Sequence, residues 1–286
     1  MLVAVITLGG LTFLIASALV IAQSRLRVDE DPRIEPVYDL LPHTDCGACG
    51  YPGCRAFAEA LAAAETNPAR CTVSGDEEKQ AIAEILSVEV SDVEKVVARL
   101  ACAGGANVAR MHADYDGLDS CRGAALVAGG GKGCFWGCLG IGDCAAVCDF
   151  EAIDMSSDKL PVVNEALCTA CGDCVDACPK DLFSLQPVSH RLWVACKNLE
   201  FGDEVLDECK VACTACGKCA KDATGGLIAM QDNLPVIDYT RPHNQRQAID
   251  RCPTGAIVWF EPGKTPQKGP AARKIVRRGA RHVAPT

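Results

Sequence analysis

Twenty cysteines stand in a chain of 286 residues, and most fall in tight runs. One run, "CTACGDCVDACPK", places Cys168, Cys171, Cys174 and Cys178 ahead of Pro179. This is C-x2-C-x2-C-x3-C-P, the spacing that wraps iron–sulfur cubanes; in two-cluster proteins its fourth cysteine ligates the neighbouring cluster. A second run, "GCFWGCLGIGDCAAVC", offers Cys134, Cys138, Cys144 and Cys148 at C-x3-C-x5-C-x3-C. Crossed ligation predicts one [4Fe-4S] cluster on Cys148, Cys168, Cys171 and Cys174, and another on Cys134, Cys138, Cys144 and Cys178. Nearer the start, Cys46, Cys49, Cys54 and Cys71 follow C-x2-C-x4-C-x16-C. Zinc uses C-x2-C pairs, but a third cysteine so close behind the pair favours a four-iron cluster.

The chain repeats itself. "LPVVNEALCTACGDCVDACP" from Leu160 aligns without a gap on "LPVIDYTRPHNQRQAIDRCP" from Leu234. Cys178 falls on Cys252, while Cys168, Cys171 and Cys174 fall on Pro242, Gln245 and Ala248. Upstream, "CTACGKCA" supplies Cys213, Cys216 and Cys219, and the position of Cys148 becomes Ala223. The second copy therefore keeps one complete ligand set, Cys213, Cys216, Cys219 and Cys252, and lacks the other. These sets make four clusters. Cys102, Cys121, Cys196 and Cys209 remain, enough for a fifth; buried structural thiols explain them equally well.

Other chemistries fit less well. Pairwise disulfides are awkward for cysteines two to five residues apart. "GGGKG" lacks the phosphate-loop pattern, since Leu126 sits at the first glycine position and Gly133 follows Lys132. "GIGDCA" has no strand before it and lies inside a cysteine run, which removes it as a dinucleotide motif. His43, His112, His190, His243 and His282 show no metal-pair spacing. Net charge is −9, and the segment from Glu261 onward holds seven Lys/Arg against one acid. The rest of the chain, at about −15, is unsuited to nucleic acid.

The elements that must carry these cysteines make an α+β chain. Residues 1–23 hold no charge and as a helix reach roughly 33 Å, enough to cross a bilayer. Arg25 and Arg27 follow, which places the bulk of the chain in the cytoplasm. A linker at 24–40 leads to a small helical four-iron cluster domain at 41–75, with a helix from Ala56 to Glu65. A helical connector is expected at 76–130: "DEEKQAIAEIL" aligns Ile82, Ile85 and Leu86, and "SDVEKVVARL" opens on a capping box of Ser91 and Glu94. A two-cluster ferredoxin module is expected at 131–187, a single-cluster ferredoxin-like module at 188–261, and a disordered basic tail at 262–286.

The initial apolar helix, "LLPHTDCGACGYPGCRAFAEA" and "KGCFWGCLGIGDCAAVCDFEAI" together resemble the B component of the Rnf complex, the iron–sulfur electron-transfer subunit of a membrane-bound ferredoxin:NAD oxidoreductase. "CAGG" and "DSCRGAALVAGG" resemble its long form. The resemblance implies a single-pass protein of the bacterial cytoplasmic membrane, part of an ion-translocating complex. It implies electrons accepted from soluble ferredoxin and passed to other membrane subunits, with no substrate chemistry on this chain. The alternatives are a membrane-anchored polyferredoxin serving another oxidoreductase, and a zinc-stabilised scaffold.

Overall fold

The computed structural model describes residues 2–25 and 31–274; within the first helix it describes the side chains of residues 9–21 and 25. The chain forms two units, divided between Ser91 and Asp92.

The first unit starts with α1 (Leu2–Arg25), whose apolar side chains Phe13, Leu14 and Leu19 are exposed. Among the described residues no helix is long and apolar enough to cross a membrane. Within α1 those side chains cover only the middle of the stretch from which a membrane anchor is expected. Arg27 of the linker lies outside the described residues. Then come α2 (Ile34–Asp39), α3 (Cys54–Ala62) and α4 (Asp76–Leu86), packed around Val37, Phe57, Leu61 and Ile82. Asp76, Glu77 and Glu78 favour the start of α4 through its dipole. Ile82 and Leu86 are buried as expected, whereas Ile85 is 38% exposed.

The second unit is two copies of one small plan. Its first copy contains β1 (Val96–Leu100), α5 (Cys121–Leu126), α6 (Asp143–Ala146), β2 (Ile153–Met155), β3 (Pro161–Val163), α7 (Asp173–Ala177) and β4 (Phe183–Pro187). β1 pairs antiparallel with β4 from Val96↔Pro187 to Leu100↔Phe183, and β2 pairs with β3. The second copy contains β5 (Leu192–Val194), α8 (Val205–Glu208), α9 (Lys218–Asp222), β6 (Ile228–Gln231), β7 (Leu234–Ile237) and β8 (Ile257–Trp259). β5 pairs with β8 and β6 with β7. Where α7 stands in the first copy, the second has a single 3-10 turn, Gln247–Ile249.

Two expectations change. "SDVEKVVARL" does not make a helix: its second half is β1, with Val97, Ala98 and Arg99 buried in succession. Its valines suit a pleated, buried position, and Glu94, instead of closing a capping box, accepts a 2.7 Å hydrogen bond from the Ser189 N–H. The first ferredoxin-like module therefore starts at β1, and residues 101–133 are an insertion within it. The basic tail is described as far as residue 274 and is not loose there. Gln267 forms a two-way backbone bridge with Trp259, and the Arg273 N–H donates to the Pro253 carbonyl. Residues 275–286 lie outside the described residues.

Arg99 links the two copies. It is 3% exposed, donates to Glu165 Oε1 at 2.6 Å and lies 3.7 Å from the Phe260 ring centroid. Burial pulls its pKa down, opposed by the Glu165 charge. Glu165→Ala leaves that guanidinium buried without its counter-charge. The expected cost is about 2 kcal/mol, read as a lowered denaturation midpoint of the second unit with iron content unchanged.

Candidate metal centres

Four cavities in the second unit share one construction. Volumes of about 330 and 350 Å³ are lined by Cys148, Cys168, Cys171 and Cys174, and by Cys213, Cys216, Cys219 and Cys252. The structure brings each of these two sets to one cavity. The cavity of about 370 Å³ departs from expectation: it is lined by Cys121, Cys138, Cys144 and Cys178. Cys134 lines a different cavity of about 320 Å³, with Cys102, Cys196 and Cys209. Cys121 and Cys134 have thus exchanged places relative to the groups read from spacing.

The reason is visible in the run itself. "CLGIGDCAAVC" superimposes without a gap on "CTACGDCVDAC", and Ile141 then occupies the position of Cys171. The first run has no cysteine at that position, and Cys121 of the insertion lines the cavity with Cys138, Cys144 and Cys178. Asp143, next to Cys144, holds it there. Its carboxylate accepts from the Cys121 N–H at 2.7 Å, the Arg122 N–H at 3.2 Å and the Ser120 hydroxyl at 3.0 Å. Burial works to raise the Asp143 pKa, but these donors outweigh it and the pKa is lowered. Ser120 also caps α5, accepting from the Arg122 and Gly123 N–H groups. Asp143→Ala should cost about 1.5–3 kcal/mol locally, seen as faster amide exchange at Cys121 and Arg122 with the β2·β3 hairpin unaffected.

Glycines shape the runs. Gly142, Gly172 and Gly217 each have positive φ at the residue before a short helix, and each helix carries a buried cysteine as its second residue: Cys144, Cys174 and Cys219. Backbone N–H groups then point at sulfur. Ala98 donates to Cys168 Sγ at 3.4 Å, Ala152 to Cys148 Sγ at 3.3 Å and Leu182 to Cys178 Sγ at 3.4 Å. Such bonds stabilise negative charge on sulfur and tune the potential of a bound cluster.

The first unit holds Cys46, Cys49, Cys54 and Cys71. Cys54 and Cys71 are buried, and Cys46 and Cys49 half-buried. Burial raises the Cys49 pKa, and the neighbouring Cys71 and Cys46 add to the rise. Cys71 Sγ accepts from the Ser74 hydroxyl at 3.1 Å and its N–H at 3.4 Å. Asp45 Oδ1 receives the Cys54 N–H at 2.6 Å, in the manner of Asp143 with Cys121.

The donor sets fit iron–sulfur clusters. Burial pushes the thiols of Cys138, Cys144, Cys174, Cys196 and Cys219 up to about 12, and that of Cys209 to about 11. At neutral pH they become thiolates only beside a positive metal centre. Among the described residues no group of three His, Cys, Asp or Glu is spaced to hold a single metal ion. A quartet of cysteines lining one cavity is the donor set of a polynuclear iron–sulfur centre instead. Lys132 of "GGGKG" turns to the backbone: its ammonium donates to the Gly104 and Cys138 carbonyls beside the cavity of Cys102 and Cys134. Cys216 is exposed, whereas the other nineteen cysteines are buried or half-buried.

The chain is similar to known proteins. Residues 41–73 match the model of an "Fe-S cluster" family, and residues 136–182 match a "4Fe-4S dicluster domain". The B component of the "Na(+)-translocating ferredoxin:NAD(+) oxidoreductase complex" of Acetobacterium woodii is 38% identical over 90% of this chain and 77% of its own. The B component of the "Ion-translocating oxidoreductase complex" of Methanosarcina acetivorans is 36% identical over 87% of this chain and 95% of its own. The B component of the "Proton-translocating ferredoxin:NAD(+) oxidoreductase complex" of Clostridium ljungdahlii is 35% identical over 90% of this chain and 91% of its own.

Proposed function

Because the chain belongs to the family of B components of ion-translocating ferredoxin:NAD+ oxidoreductase (Rnf) complexes, we propose that it is the membrane-anchored relay that accepts electrons from reduced ferredoxin and passes them to other subunits. It is an iron–sulfur electron-transfer subunit of an oxidoreductase. When bound, the clusters supply one-electron chemistry at iron. The chain supplies thiolate ligands, a dry surround and N–H groups aimed at sulfur.

The observation that carries the reading is the set of cysteine-lined cavities inside one unit, each with buried ligands. These cavities support three centres and the C-x2-C-x4-C-x16-C spacing a fourth, in the first unit on Cys46, Cys49, Cys54 and Cys71; the three are on Cys148, Cys168, Cys171 and Cys174; on Cys121, Cys138, Cys144 and Cys178; and on Cys213, Cys216, Cys219 and Cys252. The exposed Cys216 makes the last of these the natural point of exchange with a carrier. The residue ahead of the buried cysteine is Asp143 or Asp173 in the first two runs and Lys218 in the last. A basic group beside an exposed ligand favours docking of an acidic electron carrier. The anchor is α1: no charge precedes Gln23, and exposed Phe13, Leu14 and Leu19 suit contact with lipid.

The full chain, purified anaerobically, should absorb visible light and bleach on addition of reduced ferredoxin. A colourless, zinc-loaded chain would sink the redox reading. Bleaching by dithionite but not by reduced ferredoxin would point to another donor. Deleting residues 1–23 should move the chain from the membrane fraction to the soluble one.

A further inference from the structure

Cys102, Cys134, Cys196 and Cys209 come from four separate segments, and no run announces them. Their cavity lies where the insertion meets the second copy. The Ala103 N–H donates to the Ala195 carbonyl, the Arg110 N–H to the Glu208 carbonyl and the Lys210 N–H to the Val108 carbonyl. Val108, Ala109, Val205, Val211 and Ala212 form a small core beneath it, with Cys134 and Cys196 packed against that core. The sulfurs converge: a Cβ on Gly104 would sit 2.9 Å from Cys209 Sγ and 3.7 Å from Cys102 Sγ. Only glycine leaves that space open.

The sulfurs are also tied to the centres on either side. Cys102 Sγ accepts the Cys138 N–H at 3.4 Å, and Cys138 belongs to the cavity of Cys121, Cys144 and Cys178. Cys196 Sγ accepts the Cys213 N–H at 3.3 Å, and Cys213 belongs to the last cavity. Two further N–H groups, those of Gly104 and Asn198, point at the same two sulfurs at 3.4 Å. Two members of this quartet therefore touch the neighbouring sets, Cys102 the backbone of Cys138 and Cys196 that of Cys213.

We propose that Cys102, Cys134, Cys196 and Cys209 hold a fifth [4Fe-4S] cluster that bridges the two ferredoxin-like copies. It rests on the cluster reading given above. Four-iron centres then run in series: the Cys168 site, the Cys121 site, the bridge and the Cys213 site. Clusters held by these four sets would supply one-electron transfer, each centre oxidised as its neighbour is reduced, with no atom transferred. Without the bridge, the last centre is cut off from the other two.

The test uses the full chain, reconstituted anaerobically with iron and sulfide, with native mass spectrometry and iron analysis as readouts. The wild-type chain should carry five clusters, about 20 irons. Cys209→Ala and Cys134→Ala should each lose about four irons, and the double variant no more than either alone. Cys209→Ala with Cys121→Ala should lose about eight. In Cys209→Ala, rapid-freeze paramagnetic spectra should show reduction no longer equilibrating between the Cys213 centre and the Cys168 centre. About 16 irons in the wild type would overturn the fifth cluster, as would additive losses in the Cys134/Cys209 pair. Absence of iron from every site would instead overturn the cluster reading itself. Native mass spectrometry of the unaltered chain decides the count even where a variant fails to fold.

Discussion

A Cys252→Ala chain, loaded anaerobically, should lack about four irons per molecule and keep the pair of centres on the Cys168–Cys178 run. Cys252 is 9% exposed in a core with Leu192, Ile249 and Ile257. It lies over thirty residues from its partners Cys213, Cys216 and Cys219, yet lines their cavity. Nothing else in that cavity replaces a thiolate; the nearby Thr254 hydroxyl is 3.8 Å from Cys252 Sγ and is a poor ligand for iron. Loss of the centre should be close to complete, and the spectrum of the first copy should not change. The neighbouring positions cannot compensate. Gln245 Oε1 accepts a 2.6 Å hydrogen bond from the Thr224 hydroxyl, while Ala248 and Ile249 pack into the same core as Cys252. Side chains fill the second copy where the first has the cavity of Cys148, Cys168, Cys171 and Cys174. Iron analysis and reduced-state paramagnetic spectra of the variant check both halves of the expectation; iron missing from the first copy would refute the assignment of Cys252.

Removing all iron should have the largest effect. Each ferredoxin-like copy rests on two-stranded sheets of three to five residues per strand. A sheet of that size is marginal in water on its own. The cores beneath them are built partly of cysteine: Cys144 and Cys174 sit with Ala98, Ile153 and Phe183 in one, and Cys213, Cys219 and Cys252 with Leu227 and Ile228 in the other. Without clusters those cores enclose cavities lined by unpaired thiols, and a total stability of about 5–15 kcal/mol does not absorb several such losses. Oxidation and chelation should therefore abolish cooperative thermal unfolding of the second unit and strip amide protection from β1·β4 and β5·β8. The helices α3 and α4, which share a core of Phe57, Leu61 and Ile82, should keep more of their protection. Hydrogen exchange of the chelated chain measures this directly, and a metal-free second unit with intact protection would disprove it.

Much of this architecture is legible in the residues. The gapless repeat from Leu160 and Leu234 maps onto two matching hairpins, and the crossed pairing groups Cys148 with Cys168 and Cys252 with Cys213. What is hidden depends on contacts between distant segments. The stretch that leads into β1 carries an acidic start, Asp92 and Glu94, that suits a helix, and only pairing with β4, over eighty residues on, makes Val96–Leu100 a strand. Nearness in the chain groups Cys134 with Cys138, but its side chain turns to the insertion. A signal for the exchange is present: Ile141 at the second-ligand position marks a vacancy that another cysteine must fill. Nothing local identifies Cys121 as the replacement, because its link to the run is the Asp143 carboxylate.

The spread of the ligands along the chain imposes an order in time. As the polypeptide leaves the ribosome, the set that ends at Cys71 is complete first, the set that ends at Cys174 follows, and the set ending at Cys178 comes next. The quartet between the copies waits for Cys209, and the last set for Cys252. β1 emerges long before its partner β4, so the first copy cannot close until residue 187 has been made. Maturation of this subunit is therefore a sequence of insertions that starts in the first unit and ends in the second copy. A cell short of iron should accumulate chains filled at the early sites and empty at the exposed end.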